Sequence, residues 1–339
     1  MARFHQGRQT LTFENPPTIL AASAVGGKKE SEGPLASYFD YVSKDTKFGK
    51  DSWEKAESQM QTLALQTALK KADLQPGDID MIFAGDLLNQ CIGTSFCLRD
   101  AEIPFFGLYG ACSTMAESLA LAAMAVSGGF AKHAMAMTSS HFASAERQYR
   151  FPLVYGGQRT PTAQWTVTGA GCALLGEDGD GPYVTSATIG KIVDWGIKDA
   201  NNMGAAMAPA AYQTIVQHLK DRGLQPQDYD LIVTGDLGSV GKHIVLDFFN
   251  RDGISMENVY DDCGVMVFDC KKQDVHAGGS GCGCSASVFC GYLFQQMKQK
   301  KYRKLLLCGT GALLSTTSTQ QGESIPSICH AVSIELERS

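Results

Sequence analysis

The chain carries one motif twice, in two distant places. Residues 74–87 read LQPGDIDMIFAGDL and residues 224–237 read LQPQDYDLIVTGDL, an offset of 150 positions with nine of the fourteen residues identical. Each copy follows a helical pattern, at 53–72 or 211–222, and ends in a short apolar run between Asp and Gly that predicts a buried strand. Solenoid repeats are far shorter than this offset. The duplication therefore indicates two similar halves.

The repeat continues beyond this motif. Residues 111–140 and 283–312 share a pattern of small turn, helix, basic residue and buried strand, which aligns Cys112 with Cys284. Alternating strands and helices in two similar halves predict an α/β protein in which two mixed sheets enclose helices. We expect the halves to be 1–178 and 179–339, divided in a Gly/Asp-rich turn between Leu175 and Tyr183.

Composition limits the possible partners and compartment. A chain of 339 residues with 44% hydrophobic residues can bury a substantial core, and its formal net charge of -6 leaves no basic face for nucleic acid. Eleven cysteines, an odd number scattered over so long a chain, indicate reduced intracellular thiols. Residues 1–17 lack the apolar core of a signal peptide, and no apolar run approaches ~18 residues. We therefore expect a cytoplasmic protein with at most peripheral membrane contact.

The motifs do not indicate a metal or a cofactor. Cys282 and Cys284 form a C-x-C pair, but no second Cys/His pair lies at zinc-site spacing. The chain has no G-x-x-x-x-G-K-[ST] loop, and no strand opens a G-x-G-x-x-G turn. We expect neither a bound metal nor a nucleotide cofactor.

Cys112 stands between a glycine-rich turn and a long Ala/Leu/Met run, where a strand turns into a helix. Three interpretations remain open: a nucleophile, a wall of a binding pocket, or a buried thiol that eases packing. The positive end of the helix dipole lies at this position, so we expect the pKa of Cys112 to fall. The same N–H groups could hold a carboxylate.

These features resemble those of condensing enzymes with the thiolase fold. The resemblance is carried by the cysteine at the start of a buried helix, by WTVTGAGCALLG at 165–176, which is similar to the GDGAGA strand of ketoacyl synthases, and by LLLCGTGALLS at 305–315, which is similar to their glycine-rich loop. It implies a thiolase-like α/β fold, with two duplicated βαβα halves forming a layered α-β-α-β-α sandwich.

Over nearly its whole length the sequence resembles the stage V sporulation protein AD family, thiolase-like proteins that bind dipicolinic acid and take part in its uptake into the developing spore. The resemblance implies dipicolinate, alone or as its calcium chelate, as ligand. It also implies membrane proteins of the same sporulation channel as partners, a homodimer, and a peripheral position on the cytoplasmic side of the spore inner membrane. Asn89 and Gln90 fall where condensing enzymes form their dimer contact.

The sequence departs from condensing enzymes at their catalytic positions. Gly235 stands where ketoacyl synthases have a catalytic histidine, and Cys282 stands in place of their asparagine. His243 and His276 lie at other spacings. The resemblance therefore implies a binding protein and not an enzyme. The alternatives are a condensing enzyme that uses Cys112 with His243 or His276, and a scaffold that binds no small molecule.

A dianionic ligand requires counter-charges. Arg147 and Arg150 follow the strand that comes after the Cys112 helix, and the shape of a guanidinium group matches that of a carboxylate. Both arginines could instead be solvated or paired with Glu146. Glycines in the 308–314 loop allow backbone N–H groups to approach an anion, although a turn also explains them. The expected ligand-binding residues are Cys112, His141, Arg147, Arg150, Arg159, Cys282 and Gly311.

Overall fold

The computed structural model describes residues 4–149 and 158–338. Its strands are β1 (His5–Gln6), β2 (Thr10–Thr12), β3 (Thr18–Gly26), β4 (Tyr41–Val42), β5 (Met81–Gly85), β6 (Phe105–Leu108), β7 (His133–Ser140), β8 (Trp165–Thr166), β9 (Gly169–Gly176), β10 (Tyr183–Thr188), β11 (Leu231–Thr234), β12 (Tyr260–Asp262), β13 (Gly279–Ser280), β14 (Lys304–Ala312) and β15 (Ser327–Glu335). Its α-helices are α1 (Trp53–Ala72), α2 (Ile92–Leu98), α3 (Thr114–Ser127), α4 (Phe142–Tyr149), α5 (Met203–Arg222), α6 (Gly238–Arg251), α7 (Cys263–Met266), α8 (Cys282–Ser287), α9 (Phe294–Lys298) and α10 (Thr316–Gln320).

The main sheet consists of two runs of strands with the same topology. The first run has the order β6-β5-β7-β9-β3 and the second has the order β12-β11-β14-β15-β10. In each run the first three strands are parallel and the last two join antiparallel. The predicted duplication is therefore present in the topology. The two runs also meet, through the single pair Tyr183↔Thr18 of β10 and β3, and so form one continuous path.

Helices fill the space between the two runs and cover their outer faces. Successive strand residues point to opposite faces, so Ala134 and Ala136 of β7 pack in the cluster that contains α3, whereas Met135 and Met137 pack in the cluster that contains α1. The second run repeats this arrangement, since alternate residues of β14 pack in the central cluster and in the cluster that contains α5. This confirms the predicted layered α/β architecture.

Local signals set the ends of the two repeated outer helices. The side chain of Ser52 caps α1 by accepting from the Lys55 N–H at 3.3 Å, and α1 has the bounds that the sequence pattern predicts. Helix α5 begins at Met203, earlier than the predicted residue 211, because the side chain of Asn202 provides a cap there. Within the described ranges, no helix combines the length and apolar character needed to span a membrane.

The N-terminal arm binds to the second half of the molecule. Strand β2 pairs with β10, and the Asp221 carboxylate at the end of α5 accepts from the backbone N–H groups of Arg8, Gln9 and Thr10 at 3.0, 2.9 and 3.2 Å. The turn in which we divided the halves, residues 177–182, connects β9 to β10. The arm therefore belongs to the first half in sequence but packs on the sheet of the second.

Candidate functional site

A cavity of about 210 Å³ lies where the two halves meet, beside Cys112. Two helix starts border it: the short turn Ala111–Ser113, which leads into α3, and residues 280–281, which lead into α8. Helix α4 and the end of β14 supply other walls. The lining residues are Leu87, Tyr109, Ala111, Cys112, Ala145, Tyr149, Thr166, Met203, Ser280, Gly281, Ala312, Leu313 and Leu314.

Gly281 is required at the second helix start. Its φ of +97° lies in a region that favours glycine, and a Cβ atom there would lie 2.6 Å from Ser140 Oγ. The Gly281 N–H donates to Asp236 Oδ2 at 2.9 Å. This backbone geometry places the start of α8 beside the cavity, and the hydrogen bond links Gly281 to the Asp236 side chain.

Asp236 is the polar group behind Cys112. It is fully buried, and its carboxylate accepts from Thr310 Oγ1 at 2.7 Å and from the Gly281 N–H. The Cys112 thiol lies near enough for each of the two groups to shift the pKa of the other. Burial raises the pKa of Asp236 to about 6, although these donors oppose the rise. Cys112 from the first half and Asp236 from the second thus form a thiol–carboxyl pair.

The expected fall in the pKa of Cys112 is wrong. Burial raises its pKa well above 9.0, and the negative charge of Asp236 raises it further, while the Gly281 backbone opposes the shift only weakly. The helix start is present, but a carboxylate and an apolar environment outweigh its dipole. Cys112 is therefore a protonated thiol at neutral pH.

No basic partner faces this thiol in the described part of the cavity, whose lining contains no histidine, lysine or arginine. His243 is exposed and bonds the Ser239 carbonyl at 2.7 Å on its own helix, and His276 lies between the Thr160 carbonyl and Asp274. Gly235 offers no side chain. Cys282 is fully buried and donates its thiol to the Ser139 carbonyl at 2.9 Å.

Hydroxyl groups, which the sequence analysis did not single out, form the polar wall of the cavity. The Tyr109 and Tyr149 hydroxyls lie 2.7 Å apart, and Tyr149 also donates to the Leu87 carbonyl. Burial raises the pKa of Tyr149, so it remains a neutral donor. Ser280 Oγ is buried and has no hydrogen-bond partner among residues 4–149 and 158–338. The cavity therefore offers hydroxyl donors beside apolar walls.

The predicted cationic residues do not gather at Cys112. Arg147 pairs with Glu54 of α1, and Arg159 pairs with Asp274 at 2.8 Å and lies over the Trp165 ring. Arg150 lies outside the described residues. The predicted grouping of Arg147 and Arg159 with Cys112 is thus not found, since each is held by a carboxylate elsewhere.

The structure also places His141 and Gly311 outside the lining of the Cys112 cavity. Burial lowers the pKa of His141, which bonds the Thr46 carbonyl at 2.8 Å and accepts from the Ala143 N–H at 3.1 Å. It lines a second cavity, together with Glu30 and others. Gly311 packs so closely that a Cβ atom would lie 2.7 Å from the Gly110 carbonyl oxygen. Its role here is close packing beneath the Cys112 turn.

A second buried acidic pair lies in the first half. Glu57 accepts from Ser139 Oγ at 2.9 Å and from Ser144 Oγ at 2.7 Å, and Asp86, in the repeated motif, accepts from the Thr94 N–H and hydroxyl. Burial and the charge of Asp86 raise the pKa of Glu57 to about 8. Among the described residues, no group of three or more His, Cys, Asp or Glu side chains could hold a metal ion.

Glu57→Gln should make the free energy of unfolding of the protein fall less as the pH rises. A carboxyl whose pKa is about 8 when folded and 4.5 in its ordinary state contributes stability below pH 4.5 that is lost as the pH rises through 8. The variant should lose about 1 to 3 kcal/mol less free energy of unfolding between pH 5 and pH 8 than the parent. Urea denaturation at both pH values measures this. Glu32→Gln, at an exposed position, serves as the control, and equal losses in Glu57→Gln and the parent would contradict the prediction.

The fold has known counterparts. The 3-oxoacyl-(acyl carrier protein) synthase III of Xanthomonas oryzae covers 96% of this chain and 100% of its own, with a TM-score of 0.58 and 14% identity. A variant of OleA from Xanthomonas campestris gives a TM-score of 0.59 and 13% identity, covering 96% of this chain and 97% of its own. The architecture is therefore that of the thiolase-like condensing enzymes.

The sequence comparisons are more specific than the fold. Residues 7–335 match the family model described as stage V sporulation protein AD. The stage V sporulation protein AD of Bacillus subtilis (strain 168) is 47% identical over 329 residues, which cover 97% of each chain. The chain belongs to the stage V sporulation protein AD family.

Proposed function

We propose that this chain is a non-catalytic, thiolase-like sporulation protein that binds dipicolinic acid, alone or as its calcium chelate, in the cavity beside Cys112. The observation that carries the proposal is the Cys112–Asp236 pair. A condensing enzyme needs a thiolate and a base to form it, whereas this thiol is protonated and faces a carboxyl group. The cavity keeps the position of a condensing site without the groups for its chemistry.

The cavity has suitable groups for a small planar carboxylate. The 14-residue helix α3 starts at its wall, where N–H groups that have no carbonyl partner within the helix can donate to a carboxylate. Ser280 Oγ has no hydrogen-bond partner in the described part of the chain, and Tyr149 is a neutral phenol whose hydroxyl could turn towards a ligand. Leu87, Met203 and the leucines after β14 provide apolar contact for a ring.

The remaining parts of the proposal concern assembly. Delivery of dipicolinate into the forespore would require membrane proteins of the same sporulation channel, on the cytoplasmic side of the spore inner membrane. A homodimer would form at β6, which lies at one end of the described sheet and carries Phe106, 57% exposed. Asn89 and Gln90 are exposed in the segment that follows β5, the strand paired with β6, and remain candidates for the same interface.

Calorimetric titration with dipicolinate tests the ligand and its site together. The parent should bind dipicolinate more tightly than pyridine-3,5-dicarboxylate. In that isomer the two carboxylates are attached away from the ring nitrogen and so have different positions relative to it. Cys112→Leu, which fills the cavity, should weaken binding at least about tenfold, because ligand and side chain compete for one volume. Cys270→Leu, at an exposed thiol, should leave affinity unchanged. No binding at millimolar dipicolinate would contradict the proposal.

A condensing enzyme remains the second candidate, because Cys112 occupies the helix start beside the cavity. Incubation with acyl-CoA donors followed by intact-mass measurement distinguishes the two functions. We expect no covalent adduct. A stoichiometric acyl adduct that disappears in Cys112→Ser would favour the enzyme.

A further inference from the structure

Asp236 lies directly behind residues that line the cavity. It accepts from the Gly281 N–H at 2.9 Å and interacts electrostatically with the Cys112 thiol, and both residues border the cavity. Its other donor, Thr310, belongs to β14, whose last residue Ala312 also lines the cavity. The carboxyl group is thus coupled through single contacts to several walls of the same space.

The groups around Asp236 provide no compensating positive charge in the described structure. The turn before α3 contributes Cys112, and α8 contributes Cys282 and Cys284. From β12 and α7 come Asp262 and Cys263, an acid and a thiol. An anion placed in this cavity would therefore add negative charge to a buried region that already holds two carboxyl groups.

We propose that an anionic ligand enters the Cys112 cavity together with one proton, which the Asp236 carboxyl group takes up. This inference rests on the proposed binding function and specifies how the site is regulated. Two like charges in a region of low dielectric repel each other strongly, and protonation of the carboxylate removes one of them. Thr310 and Cys112 can accept the new O–H, because a hydroxyl and a thiol can each accept as well as donate.

The direction of the pH dependence follows from this coupling. With the cavity empty, burial already raises the pKa of Asp236 to about 6, and a bound anion would raise it further. Affinity should therefore fall as the pH rises from 6 to 8, by up to about tenfold per pH unit for one proton. Both carboxyl groups of dipicolinate are ionised across this range, so the slope reports on the protein.

Calorimetry with dipicolinate at pH 6, 7 and 8 tests the proposal. At pH 7, repeating the titration in two buffers of different ionisation enthalpy counts the protons taken up by the parent protein. We expect an uptake approaching one proton and the fall in affinity described above. This count uses the unaltered chain, so it does not depend on whether a variant folds.

Two variants test whether Asp236 is the group that takes up the proton. Asp236→Asn should bind with nearly constant affinity from pH 6 to 8, and more tightly than the parent at pH 8. Glu30→Gln is the matched control, because Glu30 is also a buried acid, with its pKa raised to about 7, but it lines a different cavity; it should keep the slope of the parent. A flat profile in the parent, or an unchanged slope in Asp236→Asn, would overturn the inference while leaving binding intact. Absence of binding at every pH would contradict the proposed function itself.

Discussion

Asp236→Asn should increase the rate of Cys112 alkylation by about tenfold at pH 8.5, because each unit of fall in the pKa of a thiol gives about tenfold more thiolate. Besides burial, the negative charge of Asp236 opposes formation of the thiolate and so raises the pKa of Cys112. Asparagine has nearly the same shape and removes the charge. Thr310 can accept from the new amide as readily as it donates to the carboxylate.

Iodoacetamide labelling followed by peptide mass measurement gives this rate. Cys270, an exposed thiol in the same chain, provides an internal reference that the substitution should not affect. If the ratio of the Cys112 rate to the Cys270 rate is the same in the variant and the parent, Asp236 does not control the thiol. The experiment needs no ligand, so it is independent of the binding proposals.

Gly171→Ala should lower the free energy of unfolding by about 2 to 4 kcal/mol. This loss should be the largest among the substitutions proposed. Gly171 is the third residue of β9, and a Cβ atom there would be 2.3 Å from the carbonyl oxygen of Ala286 in α8. That neighbour is backbone and cannot rotate away, so α8 must move from the sheet. Because α8 begins next to Gly281, the substitution should also disturb the cavity.

Gly77→Ala is the matched control for this prediction. Gly77 lies in the short helix Pro76–Asp78, and no atom of the described residues would lie within 4 Å of a Cβ atom added there. Its free energy of unfolding should change by no more than about 0.5 kcal/mol. Denaturant midpoints measured for both variants check the pair. A Gly171→Ala variant as stable as Gly77→Ala would show that α8 does not pack on β9 as described.

The architecture could be predicted because its signals are local and occur twice. The apolar runs at β5 and β11 lie in the two copies of the repeated motif, and Ser52 indicates where α1 begins. The extra length of α5 was missed, since Asn202 acts as a cap only once the preceding loop has its conformation. Periodicity cannot show that conformation.

The site was harder to predict because its contacts cross between the halves. Cys112 meets Asp236 only when the halves pack, and burial then reverses the pKa shift expected from the helix start alone. A signal was present: the repeated GDL tripeptide retains an aspartate in both copies, Asp86 and Asp236. Arg147 was assigned to the ligand from its chemistry, but its position on α4 directs it to Glu54.

The N-terminal arm also determines the order in which the molecule can be completed during synthesis. Arg8, Gln9 and Thr10 leave the ribosome early, but their partner Asp221 follows more than two hundred residues later. At ordinary translation rates that delay is roughly 10 to 40 s. During this interval β2 can pair with β1 but not with β10, which is also still to be made. Docking of the arm is thus a late event that requires the second half, and its protection from proteases would report that the whole molecule has assembled.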